Sequence, residues 1–166
     1  MSITPVALLL IGVAMLWWLG GIGAADERER RRAYLARPHF EPIARIDDPI
    51  VAAATLLRFV AGDRGWPRAR EIAVTLLSAV SPERRSREDA IARAEWTAGQ
   101  LREERRAIGA LCVLAEDWLD EAERADLRDM VDAVADAAAT DDPRARRRAA
   151  TAIRALDAGR APGTAT

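Results

Sequence analysis

The chain has 166 residues, enough for one domain and too few for two of ordinary size once its first 25 residues are set aside. Its 25 basic residues, all arginine, nearly balance 26 acidic ones, so the composition gives no reason to expect nucleic acid or another polyanion as a partner. Cys112 is the only cysteine, which excludes an intrachain disulfide and a cysteine-based metal site within one chain.

Alanine, leucine, arginine and glutamate dominate, which favours an all-α fold. Arginine without lysine on an alanine-rich background is the mark of a GC-rich genome and points to a bacterium.

Residues 6–25, VALLLIGVAMLWWLGGIGAA, form a 20-residue stretch without a charged side chain. At 1.5 Å per residue a helix of that length covers about 30 Å, the thickness of a bilayer's hydrocarbon core. Trp17 and Trp18 stand near its downstream end, Arg28, Arg30, Arg31 and Arg32 follow, and the leading MSIT carries no basic residue. The positive-inside rule then predicts a single-pass anchor in the inner membrane, with the N-terminus out and the rest in the cytoplasm. The alternative is a cleaved signal, with Gly23 and Ala25 before the cut and the helical domain secreted. Against it stand the length of the apolar run and the lack of a basic leader.

Residues 26–47 read as a charged stalk and linker, since Pro38 and Pro42 oppose a helix over 37–47. His39, the sole histidine, falls there and reads as an exposed linker side chain. The domain then runs from 48 to 158, with 159–166 a frayed tail.

Asp47 or Asp48 is expected to cap a helix with Pro49 at its first position, buried through Ile50, Ala53, Ala54, Leu57, Val60 and Ala61 and ended by Gly62. After the turn GDRGW, Pro67 is expected to open a second helix with Ile72, Leu76, Leu77 and Val80 as its stripe. Ser86 is expected to cap a third, carrying Ile91, Ala94, Ala98 and Leu101 inward. A fourth spans 102–117 on Ile108, Leu111, Cys112 and Ala115, and a fifth spans 120–138 on Leu127, Met130, Val131 and Val134. Asp141 or Asp142, with Pro143, caps the last, which ends near Ala158.

Cys112 has no basic residue at helical spacing to activate it and reads as a buried thiol. A nucleophile would need a base, and the one histidine lies in the linker, so no enzymatic constellation is expected. Trp66, Trp96 and Trp118 read as partial core, and Arg146, Arg147 and Arg148 as a solvated helix face, with contact to anionic lipid or nucleic acid as the lesser alternative.

Two segments look alike: LRFVAGDRGWPRAREIAVTLLSAV at 57–80 and LCVLAEDWLDEAERADLRDMVDAV at 111–134. In each, an apolar helix ends in alanine, a short acidic turn follows, and the next helix begins near a glutamate. This resembles the tellurite-resistance TerB-like family over residues 48–137 and implies a bundle of about five to seven helices. A membrane helix before such a domain is similar to the front part of DjlA-type co-chaperones, but the His-Pro-Asp loop of a J-domain is absent, His39 being followed by Phe40.

The resemblance implies an acidic site that takes a divalent cation such as calcium. Asp63 and Glu71 would supply the first copy, one residue further apart than usual, and Glu116, Asp117 and Glu123 the second. The expectation is a non-catalytic interaction or stress-response module that binds a cation or a protein partner. The alternatives are a metal-dependent enzyme built on those carboxylates and a secreted helical domain.

Overall fold

Short polar side chains and prolines set where the helices start. The computed structural model describes residues 40–80, 84–101 and 103–158, and every regular element among them is helical. In chain order these are α1 (Glu41–Ala44), α2 (Pro49–Val80), α3 (Arg84–Gln100), α4 (Glu104–Trp118), α5 (Glu121–Ala138) and α6 (Ala145–Ala158). The all-α expectation holds for this region. None of these helices is long and apolar enough to cross a membrane. The apolar stretch 6–25, the stalk through His39 and the tail 159–166 lie outside the described residues.

Two of the expected caps are in place, and a third helix carries a cap at the residue where it was expected to start. Asp48 accepts a hydrogen bond from the Ile50 N–H through its carboxylate at 2.8 Å and so caps α2. Asp142 does the same for Arg144 at 3.0 Å, ahead of α6. At α5 the Asp120 carboxylate accepts from the Glu123 N–H and the Glu123 carboxylate accepts from the Asp120 N–H, both at 2.9 Å. This reciprocal pair satisfies two backbone donors that an isolated helix start leaves without partners.

The linker expectation fails at its downstream end. Residues 41–44 form a helical turn, and Phe40, Ile43 and Ile46 are buried against the domain. Pro42 lies in the first turn, where the missing N–H has no intrahelical partner to lose, so it permits the helix it was expected to prevent. The domain therefore includes residues 40–47.

α2 is the central element and packs against α3, α4, α5 and α6, while α6 also lies on α4 and α5. Its first half is buried nearly all round, with Leu56, Leu57, Val60 and Ala61 inaccessible to solvent. Thr55, buried among them, donates its hydroxyl to the Val51 carbonyl at 2.6 Å.

In the second half of α2 the buried stripe is only partly the one expected, Leu77 being the shared residue. Trp66, Ala69, Ala73 and Leu77 face inward, whereas Ile72 and Val80 are exposed and Leu76 is half-buried. Gly65 explains the rotation: a Cβ built there would lie 2.6 Å from the Ala138 Cβ and 3.0 Å from the Ala138 carbonyl oxygen. The backbones of α2 and α5 meet at Gly65 and Ala138, and Trp66, Ala69, Ala73 and Leu77 are the residues buried along this half of the helix.

The remaining core follows the expected periodicity more closely. Ile108, Leu111, Cys112 and Ala115 of α4 and Leu127, Met130, Val131 and Val134 of α5 are buried. In α3, Ile91 and Ala94 are buried and Ala98 and Leu101 half-buried. That helix begins at Arg84, which places Ser86 inside it instead of at its cap.

Candidate functional site

Gly62 has φ 68° and ψ 172°, a conformation nearly confined to glycine, and it breaks α2 into residues 49–61 and 63–80. The expected turn is thus a one-residue kink. Pro67 does not open the second half but stands five residues into it, where its ring removes one hydrogen bond beside the break. The kink frees backbone acceptors at the end of the first half, and Arg148 of α6 takes them. Its Nε donates to the Val60 carbonyl at 2.9 Å and its Nη2 donates to the Ala61 carbonyl at 3.0 Å.

The same guanidinium is ion-paired with Glu104 of α4 at 2.8 Å and with Asp142 ahead of α6. Its side chain is only 11% exposed. Arg148 therefore ties together three helices and the break in α2. The close approach explains the glycine a second time, because a Cβ at 62 would lie 2.1 Å from Arg148 Nη2 and 2.8 Å from Asp142 Oδ2. The Arg148 hydrogen bond holds the Asp142 carboxyl below its ordinary range, outweighing the opposing effect of burial.

Beside this junction lies a cavity of about 530 Å³, lined by Arg58, Asp63 and Arg64 from α2, Glu104 from α4, and Arg144 and Arg148 from the α6 end. Arg58 is ion-paired with Asp63 and lies 5.6 Å from the centre of the Trp66 ring. The Trp66 indole donates to Glu95 of α3 at 2.8 Å, and Arg70 donates to the same oxygen at 3.0 Å. Burial pushes the Glu95 carboxyl up, but these hydrogen bonds and the charges of Arg70 and Arg58 outweigh it and leave the carboxyl lowered. One wall of the cavity is thereby fixed through Trp66 to α3.

A smaller hollow of about 160 Å³ adjoins it, sharing Glu104, Arg144 and Arg148 and adding Arg105, Arg147 and Thr151.

The five acidic residues expected to form a cation site are engaged or placed as follows. Asp63 alone borders the cavity, as the partner of Arg58. Glu71 is exposed eight residues further along the same helix, a rise of about 12 Å. Glu116 is half-buried near the end of α4 and its charge acts on the Cys112 thiol, Asp117 is exposed beside it, and Glu123 is committed to capping α5. Among the described residues no group of three or more histidine, cysteine, aspartate or glutamate side chains is arranged to hold a metal ion.

Cys112 is buried and donates to the Ala152 carbonyl at 3.6 Å. Burial, with the Glu116 charge adding to it, pushes its thiol up to about 12. Trp66 is core, as expected, whereas Trp96 is 60% and Trp118 38% exposed.

Of the expected solvated face, Arg146 and Arg147 are exposed but Arg148 is turned inward, and Asp142, Glu104 and Arg58 carry no sequence signal of a site. Arg144 and Arg148 are four residues apart and so share a helix face, but that spacing by itself does not separate a solvated arginine from one turned inward. Comparison of the chain with family models, curated proteins and solved structures returns no match.

Proposed function

We propose that this chain is a single-pass membrane-anchored, non-catalytic binding module of TerB-like kind, with its helical domain in the cytoplasm and the arginine-bordered cavity as its recognition site. The observation that carries the anchoring is the uncharged run 6–25 followed at once by four arginines within residues 28–32. The recognition site rests on a concave, part-charged surface whose walls are braced by Arg148 and by the pairing of Trp66 with Glu95. Support for the TerB-like kind comes from the paired segments. Residues 57–80 contain the break at Gly62, residues 111–134 contain the break between α4 and α5, and a helix follows each.

Two reporters fused in turn to the C-terminus test the placement. A cytoplasmic fluorescent protein is expected to mature and to sediment with membranes, and alkaline phosphatase at the same junction is expected to stay inactive. Active phosphatase would put the domain on the other side and favour the signal-cleaved reading.

A further inference from the structure

We infer that the two adjoining hollows beside Gly62 bind a terminal phosphate group through Arg64, Arg105, Arg144 and Arg147. This rests on reading the cavity as a recognition site and does not depend on the membrane anchor. The hollows together are lined by six arginines and three carboxylates, a local excess of three positive charges in a chain whose net charge is −1. All three carboxylates are engaged: Asp63 by Arg58, and Glu104 and Asp142 by Arg148. The guanidinium groups of Arg64, Arg105, Arg144 and Arg147 make no ion pair among the described residues.

Only Arg154 shares that state among the other described arginines whose pairing is known. Arginines at 45, 68, 70, 93, 106, 124, 128 and 146 all meet a carboxylate within 4.0 Å. Four of the unpaired ones border the same two hollows.

Their placement on the helices also opposes folding. Arg64 follows the break that starts the second half of α2, Arg105 is the second residue of α4, and Arg144 and Arg147 flank the first turn of α6. The second half of α2, α4 and α6 thus start near one place beside these cations, and the acidic residue at each start, Asp63, Glu104 and Asp142, is already engaged by Arg58 or Arg148. Arg144 and Arg147, three residues apart, repel each other as well. An anion seated between them removes both costs, and its oxygens accept from guanidinium forks in the paired geometry that arginine favours. A carboxylate brings one charge and two oxygens against an excess of three. A terminal phosphate brings up to two charges and three oxygens and suits the site better. The cavity, about 530 Å³, is also large enough for the group that carries it.

The phosphate could belong to a soluble phosphate ester or to a phosphatidic acid headgroup, and two arms of one experiment separate these sources. Full-length protein in phosphatidylcholine nanodiscs is melted with inorganic phosphate, against sodium chloride at equal ionic strength. It is then melted in nanodiscs containing phosphatidic acid. A ligand that binds the folded state raises the melting temperature, and the dependence on concentration gives its affinity.

The comparison protein is the Arg64→Gln/Arg144→Gln double variant. Both side chains are exposed, make no ion pair among the described residues and stand where positive charge opposes folding, so its melting temperature without ligand is expected to equal or slightly exceed the parent's. Arg147→Gln serves as the second variant should the first melt low. A rise with inorganic phosphate that weakens at least tenfold in the variant supports a soluble ligand. A rise with phosphatidic acid alone, lost in the variant, supports the headgroup. No rise in either arm, or an equal rise in parent and variants, overturns the inference. The phosphate arm runs equally well on protein recovered without detergent, so failure of the anchor leaves this test intact.

Discussion

Alanine at position 62 would have to adopt φ 68° with ψ 172° and place a methyl group within 2.1 Å of Arg148 Nη2. The backbone strain alone costs about 1–3 kcal/mol, and displacement of Arg148 adds to it. Urea denaturation of Gly62→Ala is expected to show a clear loss of stability, and a midpoint equal to the parent's would deny the kink its role. Truncating Arg148 removes the partner of two backbone carbonyls and leaves the Asp142 carboxylate, only 12% exposed, without its cation. Losing one member of such a pair costs roughly 3–5 kcal/mol, so Arg148→Ala should be among the most damaging single changes outside the apolar core.

The pH dependence has a definite sign. The Asp142 carboxyl is lowered in the folded state, so its contribution is present above its ordinary value of 3.8 and is lost as pH falls through the lower folded value. Acid titration should therefore destabilise the parent more steeply below that ordinary value than it does Arg148→Ala. Cys112, with its thiol pushed up to about 12, is expected to resist maleimide at neutral pH until the protein is unfolded. Rapid labelling of native protein would mean that the α4 core opens readily.

Among the elements, the starts at Asp48, Asp120 and Asp142 and the buried faces of α4 and α5 were legible in the sequence, whereas Ser86 and Pro67, expected to open helices, lie inside them. Asp48, Asp120 and Asp142 cap helices because a short carboxylate reaches the first free N–H groups whatever lies around it, and such local chemistry is written in local sequence. Asp120→Ala is accordingly expected to cost about 0.5–2 kcal/mol in thermal or chemical denaturation, and an unchanged stability would show that the reciprocal pair with Glu123 is idle. The face of residues 63–80 was misread for a tertiary reason. Ile72 and Val80 carry more apolar surface than Ala69 and Ala73, but the close meeting of Gly65 with Ala138 sets the rotation. Residues 40–46 depart from the linker expectation because Pro42 breaks a helix only in its interior and is tolerated in a first turn.

For the whole molecule, net charge concealed the distribution of charge. A formal −1 argued against any anionic ligand, yet the hollows beside Gly62 hold six arginines against three carboxylates, contributed by three helices that meet only on folding. The carboxylates that the TerB-like resemblance gathered are, in the fold, an arginine partner, a helix cap and separate positions on α2 and α4. Sequence similarity between the two segments spoke to helix breaks and not to convergence of side chains. The long-range pairing of Arg148 with the break in α2, 88 residues away at Val60, has no local signature at all.

Under the proposed function, residues 6–25 hold a folded helical domain to the membrane. Fractionation of cells expressing the full chain, with an alkaline wash of the membranes, tests it most directly. The protein should stay in the washed pellet and be released by detergent alone, with its N-terminal residues intact. Recovery in the soluble fraction, or a mature chain that begins near Asp26, would contradict it.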